Sequence, residues 1–284
     1  MTVRLARHDY GKSKVRLTYL NKRSHVRDLV QLVAQVLLAG DFDAAYTSGD
    51  NARVIPTDTM KNMVYAIAKL HGVQSIEAFA QRLAKHFLDR FSHVREVDVR
   101  IQQDLWSRFH LDGSPSQHAF MGRGEEQNTC SVTLNRDGIS LTSGLSGLRL
   151  LKTAGSGFSG FLKDEFTLLR ETDDRILETT ISATWSCRDL DHDWTSTRRT
   201  VRDLMLRVFA ERYSPSVQRT LYEMGELVIL SCPEMDEISI TMPNQHHLLV
   251  DLAAIELEND DEIFVPTSEP FGVISATLQR TKDQ

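Results

Sequence analysis

The glycine- and serine-rich stretch at residues 152–175 carries side chains suited to a flat, negatively charged ligand. Its glycines and serines favour a loop whose backbone can approach another molecule closely. Phe158 lies between Gly157 and Ser159, which are too small to cover both faces of its ring, and Arg175 ends the stretch where a strand is expected. An aromatic face binds planar rings, and a guanidinium group binds anions through a fork of N–H donors. The alternative is a mobile loop whose phenylalanine packs in the core.

Two expected helix starts offer further contacts for an anion. One begins with Thr57 and Asp58, and the other with Val217 and Gln218. A helix start presents free backbone N–H groups and the positive end of the helix dipole, so it can hold an anion without a lysine. The alternative is that both pairs are ordinary helix caps.

Three further side chains could move protons or hold a small polar molecule. In an extended chain, Asn244 and His246 project to the same side and His247 to the other. The asparagine amide can bind a small polar guest, and a histidine exchanges protons near neutral pH. Lys12, if it is buried beside Thr57, could share a proton with that hydroxyl. The alternatives are a structural histidine and a surface lysine.

The sequence carries no short motif for a common cofactor or metal. It has no nucleophile elbow, Walker loop, dinucleotide fingerprint or paired cysteine motif. Three scattered cysteines, Cys130, Cys187 and Cys232, are too few for a disulfide framework or a zinc site. We therefore expect an enzyme here to work without a metal or an organic cofactor, or with one whose site has no short signature.

Composition excludes several classes of partner. The 284 residues are 41% hydrophobic and 25% charged, as in globular proteins, and the net charge of −6 gives no reason to expect nucleic acid. No apolar run is long enough to span a bilayer, so no membrane is expected. Residues 1–9 lack a secretory pattern, and the chain ends in Thr-Lys-Asp-Gln rather than in a peroxisomal tripeptide. These features predict a cytoplasmic protein.

The first half predicts strands, two helices and another strand. Alternation indicates strands over residues 14–20 and 97–101, and a further strand over 42–55 with a break at 48–51. Helical spacing predicts one helix capped by Thr57 or Asp58 and stopped at Gly72, and a second that begins near Ser75. Residues 111–128 are rich in Gly, Ser, Gln and charge, which predicts an exposed loop.

The second half repeats this order. Strands are expected over residues 131–134, 139–151, 177–185 and 238–242, and helical spacing covers residues 201–209 and 217–228. Ser214 as N-cap, with Pro215 in the first helical position, is the expected start of the last helix. We infer two tandem units, 1–137 and 138–284, each an antiparallel sheet with helices on one face. A barrel built from several subunits would remove the sheet edges.

Short motifs are spread over nearly the whole chain. They are Tyr10-Gly11-Lys12; Pro56-Thr57-Asp58-Thr59 with Lys61-Asn62; Gly157-Phe158 with Gly160-Phe161; Glu171-Thr172 with Asp174-Arg175-Ile176-Leu177; Ser216-Val217-Gln218; Pro243-Asn244 with His246-His247; and Pro270-Phe271-Gly272-Val273-Ile274 with Ala276-Thr277. In type and order these motifs resemble the urate oxidase family. Gln245 is a departure, because the family frequently has lysine at that position.

The resemblance implies the tunnelling fold, an α+β fold of two tandem ββααββ units. It also implies a homotetrameric barrel with active sites at subunit interfaces. The implied reaction converts urate, O2 and water to 5-hydroxyisourate and H2O2 with no cofactor. The alternatives are a tunnelling-fold enzyme acting on pterins and a non-catalytic oligomer that binds purines.

The resemblance also implies roles for individual residues. Three would relay protons, namely Lys12, Thr57 and His246. Seven would hold urate or O2: Phe158 stacked on the purine, Arg175, Gln218 and the Val217 N–H on its polar edges, Thr57 and Asp58 from a neighbouring chain, and Asn244 at O2 or the water that replaces it. No residue is expected to bind a metal.

Overall fold

The computed structural model describes residues 2–22 and 28–281, which form two compact units, Met1–Gly144 and Leu145–Gln284. The division falls inside the strand Ile139–Lys152, whereas the sequence placed it between residues 137 and 138. Residues 282–284, on which the expectation about the C-terminal tripeptide rests, lie outside the described residues, as does Met1.

The first unit has two strands, three helices and two strands, and a fifth strand begins near its end. Its strands pair in chain order, each antiparallel to the next. The elements are β1 Tyr10–Asn21, β2 Asp28–Gly40, the one-turn helix α1 Asp43–Thr47, α2 Thr57–His71, α3 Ile76–Arg90, β3 Val94–Leu111, β4 Ser114–Asn135 and β5 Ile139–Lys152.

Helices α2 and α3 cover one face of this sheet, because each has one apolar stripe. Ser75 caps α3 by accepting a hydrogen bond from the Ala78 N–H at 3.1 Å, and α2 ends at Gly72, whose φ of 74° suits glycine. Both features confirm the predictions. The buried residues that line the helix–sheet contact are Val15, Leu32, Ala34, Val36, Leu38, Met60, Val64, Ile67, Phe79, Leu83, Phe87, Val97, Val99, Ile101 and Val132.

The predicted strand over residues 42–55 was wrong. This segment holds α1 and a loop, in which Phe42 is buried and the hydroxyls of Thr47 and Ser48 donate to backbone carbonyls one turn back. The strand that pairs here is β2, which the sequence analysis missed. Its apolar residues occupy both faces, so no simple alternation reveals it.

The predicted loop over residues 111–128 was also wrong, although most of its residues are exposed. It forms the β3–β4 hairpin, whose two-residue turn is Asp112-Gly113 with φ of 51° and 78°. An Asp-Gly pair is a strong signal for a hairpin turn. The polar composition of the strands concealed that signal.

The second unit contains most of β5 and then β6 Leu177–Cys187, α4 Trp194–Glu211, α5 Val217–Ser231, β7 Met235–Leu249, a 3-10 turn at Ala253–Ile255 and β8 Phe264–Gln279. Strand β7 pairs antiparallel with β6 and β8. The helices bury one face of this sheet. The buried residues of that contact include Ile181, Ala183, Trp185, Val201, Met205, Leu221, Met224, Val228, Ile238, Ile240 and Met242.

The predicted start of the last helix was two residues early. The N-cap of α5 is Ser216, which accepts a hydrogen bond from the Arg219 N–H at 3.1 Å. Ser214 is buried instead and accepts a hydrogen bond from the Thr220 hydroxyl at 2.7 Å. Pro215 therefore precedes the helix.

Each unit thus has the predicted ββααββ order with antiparallel strands, and the first adds the short α1. This confirms the α+β class. Among the helices in residues 2–22 and 28–281, none combines the length and apolar character needed to cross a membrane.

Candidate active site

Lys12 lies on β1 beside an irregularity that changes the direction of the strand. Lys12 pairs with Val36 of β2, and the pairing resumes with Val15 opposite Ala34, so β1 has extra residues between the two pairs. One of these residues is Lys14, whose φ is 56°. Such a bulge bends the strand and redirects nearby side chains. Lys12 is half-buried.

Gly11 is required by this geometry. A Cβ atom there would lie 1.8 Å from the backbone oxygen of Val36 on β2, so any larger residue would separate the two strands. The glycine of the Tyr-Gly-Lys motif therefore brings the backbone next to Lys12 close to β2.

Tyr10 ties the start of β1 to the loop that leads into α2. Its hydroxyl accepts a hydrogen bond from the Ile55 N–H at 2.7 Å and donates to the Ile55 oxygen at 3.2 Å. Burial raises the pKa of Tyr10, so its hydroxyl stays neutral and can do both. The two bonds fix the position of the chain just before Thr57.

The start of α2 differs from the prediction. Its N-cap is Pro56, whose side chain cannot cap, so neither Thr57 nor Asp58 has the predicted capping role. Thr57 is half-buried in the first helical position, and Asp58 is exposed. A helix start without a side-chain cap leaves N–H groups available to a ligand.

Asp58 is held by neighbouring side chains. It forms an ion pair with Lys61 and accepts a hydrogen bond from the Asn62 amide at 3.1 Å. The Lys61 contact is the main cause that lowers the pKa of Asp58, and the charge of Lys12 contributes a smaller part. Lys12 is therefore within electrostatic reach of the α2 start, and the first unit brings together Lys12, Thr57 and Asp58.

In the second unit, the loop between β5 and β6 folds back on itself at Phe158. The Phe158 N–H donates to the Thr172 oxygen at 2.7 Å, and the Thr172 N–H donates to the Phe158 oxygen at 3.1 Å. The Gly157 N–H donates to the Ser214 oxygen at 2.8 Å. These bonds place Phe158 beside the residues that lead into α5.

Gly157 permits this close approach. A Cβ atom at this position would lie 2.3 Å from the Tyr213 hydroxyl and 2.9 Å from the Thr172 oxygen. The sequence predicts a glycine-rich loop, but only the structure shows which glycine the packing requires.

The Phe158 ring has two close partners. Phe161 stacks on it, with ring centroids 4.9 Å apart and planes inclined by 15°. The guanidinium carbon of Arg175 lies 5.4 Å from the Phe158 centroid. Phe158 is half-exposed, so part of its ring is open to a ligand.

Arg175 carries an unsatisfied polar atom. Its Nε atom is buried and has no hydrogen-bond partner in the part of the chain that the structure describes. Burial lowers the pKa of Arg175, and Tyr213 acts in the opposite direction. An arginine nonetheless stays charged at neutral pH. A buried cationic donor without a partner is costly, and an anion would satisfy it.

Helix α5 begins next to this group. Val217 is its first residue and is buried, and Gln218 is exposed. The first N–H groups of a helix have no intrahelical partner and attract anions. The structure therefore brings Phe158 and the α5 start, with Val217 and Gln218, into one region.

Asn244 and His246 lie on β7, and both are half-buried. On one face of the strand, Gln245 lies 3.5 Å from the Thr180 hydroxyl and the His247 ring lies 2.7 Å from Glu178. Side chains alternate along a strand, so Asn244 and His246 project to the other face. The Thr267 hydroxyl donates to the His246 backbone oxygen at 3.1 Å.

The predicted residues thus lie in both units. Lys12, Thr57 and Asp58 belong to the first unit, and the other six belong to the second. Of those six, Asn244 and His246 lie on β7, whereas the other four lie in the loop between β5 and β6 and at the start of α5. Within residues 2–22 and 28–281, no group of three or more His, Cys, Asp and Glu side chains could hold a metal ion.

Two residues beside the predicted ones, Tyr10 and Phe161, had no role predicted from the sequence. Tyr10 fixes the loop before Thr57, and Phe161 stacks on Phe158. Both lie inside motifs that carried the resemblance, which was the available signal. Their partners lie at distances along the chain that no local pattern reveals.

Comparison with known proteins identifies the family. The family model described as Uricase matches residues 8–133 and 141–275. A uricase of Arthrobacter globiformis is 40% identical over 276 residues, which cover 97% of this chain and 90% of the relative. A uricase of Danio rerio is 38% identical, covering 98% of this chain and 95% of the relative.

Solved structures give the same result. The crystal structure of the Arthrobacter globiformis uricase superimposes with a TM-score of 0.93 at 39% identity, covering 100% of this chain and 97% of that one. A urate oxidase of Bacillus sp. TB-90 has a TM-score of 0.84 at 24% identity, covering 96% of this chain and 100% of that one, which supports the fold alone. The fold is the tunnelling fold, and the chain belongs to the uricase family.

Proposed function

We infer that this chain is a urate oxidase, an enzyme that converts urate, O2 and water to 5-hydroxyisourate and H2O2. The observation that carries the proposal is the Arg175 guanidinium group, whose carbon lies 5.4 Å from the centroid of the half-exposed Phe158 ring. Urate is flat and anionic, so it satisfies both groups. Family membership supports the same substrate.

In the proposed complex, the purine stacks on the part of the Phe158 ring that Phe161 leaves open. The guanidinium group of Arg175 donates two hydrogen bonds to one edge of urate, a geometry that lysine cannot reproduce. Gln218 and the Val217 N–H bind the neighbouring polar atoms, where the positive end of α5 favours negative charge.

The group in the first unit completes the site from another copy of the chain. Thr57 and the backbone of Asp58 meet the opposite edge of urate, and four copies form a barrel with sites at their interfaces. Large apolar side chains on the surface of one copy support an assembly: Leu162, Phe166 and Leu168, near Phe158 in sequence, are 92%, 81% and 93% exposed.

The reaction needs proton transfer and positioning more than a cofactor. Ground-state O2 is a triplet and does not add directly to a closed-shell purine. Deprotonated urate is electron-rich enough to transfer one electron to O2, after which the two radicals can combine. Lys12, Thr57 and His246 relay the protons, and Asn244 holds O2, and later water, over the ring.

Two assays test the proposal. Metal-stripped protein is mixed with urate in air, the ultraviolet band of urate is followed and peroxide is measured. We expect loss of the band and formation of peroxide in air, and neither without O2. A protein that neither consumes urate nor forms peroxide in air would refute the enzyme assignment, and tight binding without turnover would favour a purine-binding oligomer.

The interface is tested by complementation. Lys12→Met and Arg175→Ala each inactivate a different half of the proposed site. Mixed oligomers assembled from both variants contain some sites in which both halves are intact, so we expect activity to return. Mixed oligomers that stay as inactive as the separate variants would exclude a shared site.

A further inference from the structure

A carboxylate is buried in the second unit on the face of the sheet opposite His246. Glu178 on β6 is only 2% exposed. It accepts hydrogen bonds from the ring Nε2 of His247 at 2.7 Å and from the Nε of Arg149 at 2.5 Å. The contact joins side chains from three strands, β5, β6 and β7.

Glu178 is ionised at neutral pH. Burial alone would raise its pKa, but the bonds from His247 and Arg149 outweigh burial, and the pKa lies below its ordinary value. Removing a carboxylate from water is costly, and its two partners differ in exposure: the His247 side chain is 12% exposed and the Arg149 side chain 70%. The arrangement therefore calls for a role other than stability alone.

The backbone of β7 is weakly held near the catalytic residues. Pro243 has no N–H to donate to a neighbouring strand. On the other side, the register between β7 and β8 shifts between Asn244 and His246. The segment that carries both site residues thus depends on side-chain contacts more than a regular strand does.

We propose that Glu178 is a positioning residue of the active site, which holds His247 and so fixes the segment of β7 that presents Asn244 and His246. Because His247 directly follows His246 and projects to the opposite face, fixing its ring also fixes the direction of the His246 side chain. This inference rests on the proposed urate oxidase function. It concerns the proton and O2 steps, since Phe158, Arg175 and Gln218 lie on other elements.

The test compares Glu178→Ala with a control at the other end of the β6–β7 pair. Asp236 on β7 accepts a hydrogen bond at 2.5 Å from the Nε of Arg188, which directly follows β6. Asp236→Ala therefore also removes the ion pair of a β7 carboxylate, but an exposed one far along β7 from His246. Steady-state urate oxidation and anaerobic urate binding are measured for both variants and for the wild-type protein.

We expect Glu178→Ala to lower kcat roughly tenfold or more, as small displacements of reacting groups do, with little change in the KM or the affinity for urate. Asp236→Ala should keep wild-type kinetics. A kcat of Glu178→Ala within twofold of the wild-type value, or an equal loss in Asp236→Ala, would overturn the proposal.

A second pair of variants keeps the test valid if Glu178→Ala does not fold. Gln can place an N–H donor near the position of the histidine Nε2, so His247→Gln should retain more kcat than His247→Ala. Equal kcat values for these two variants would contradict the positioning role. If the wild-type protein does not oxidise urate, the proposed function fails instead, so the two failures are distinguishable.

Discussion

Removing the Arg175 side chain should abolish tight urate binding without weakening the fold. In the proposed complex its guanidinium group donates two charged hydrogen bonds from a half-buried position. Hydrogen bonds to charged groups are worth about 1.5–3 kcal/mol each, and truncating a buried charged partner costs about 2–5 kcal/mol. We therefore expect Arg175→Ala to weaken binding by about 2–4 kcal/mol, which is roughly 30- to 1000-fold in Kd.

The free energy of unfolding should respond differently. The Nε of Arg175 is buried and lacks a hydrogen-bond partner within the described residues, so the free protein bears the cost of an unsatisfied donor. Deleting the group removes that cost together with its contact to the Phe158 ring. We expect Tm to stay within a few degrees of the wild-type value or to rise.

Anaerobic titration with urate measures the affinity without turnover, and thermal unfolding of the urate-free protein measures Tm. Arg170→Ala is the matched control, because Arg170 is an exposed arginine of the same loop. Arg175→Lys keeps the charge but not the fork, so its affinity should be intermediate. An Arg175→Ala affinity within twofold of wild type, or an equal loss in Arg170→Ala, would refute the assigned role.

Three further predictions concern proton transfer, fold stability and pH. Lys12→Met and Thr57→Ala should each lower kcat much more than they raise the KM for urate in steady-state kinetics, and a change in KM alone would exclude the relay. Arg280→Ala removes hydrogen bonds to three backbone carbonyl groups at the end of α5 and the start of β7. Denaturant titrations should therefore show a free energy of unfolding that is lower by roughly 1–3 kcal/mol. The folded-state pKa of Glu178 lies below its ordinary value of 4.5. Above about pH 4.5 the wild-type protein should therefore be more stable than Glu178→Gln, and it should lose this advantage as the pH falls further. A stability difference that does not change with pH would contradict this prediction.

Local patterns identified helices α2 to α5 and the regular strands, because each of these elements buries one stripe of side chains. The spacing of Met60, Val64 and Ile67 sufficed for α2, and Ser75 marked the start of α3. The same approach failed for β2, whose apolar residues lie on both faces. It also failed for the first part of β4, residues 114–128, whose polar and mostly exposed side chains belong to a strand held by backbone pairing with β3.

The candidate site was less accessible to such patterns than the fold. The motifs named its residues, but Gly157 and Tyr10 act through contacts with Tyr213 and Ile55, which lie far away in the sequence. Such contacts follow from the path of the whole chain. A local pattern can indicate that a glycine or a tyrosine belongs to a motif, but it cannot show what that residue touches.

The residues proposed to bind urate and those proposed to relay protons differ in how they are held, and the difference fits their proposed tasks. Phe158 and Arg175 lie in or beside a loop fixed by backbone bonds and by Gly157, which suits a rigid surface for a flat ring. Lys12 follows a glycine and precedes a bulge in β1, which directs side chains where a regular pleat would not. His246 lies on β7 beside a register shift, at which Asn244 pairs with Gly272 and His246 with Thr267, so that the extra residues are on β8. Substrate binding and proton transfer would therefore respond to different mutations, with loop changes acting mainly on KM and changes at the strand irregularities acting mainly on kcat.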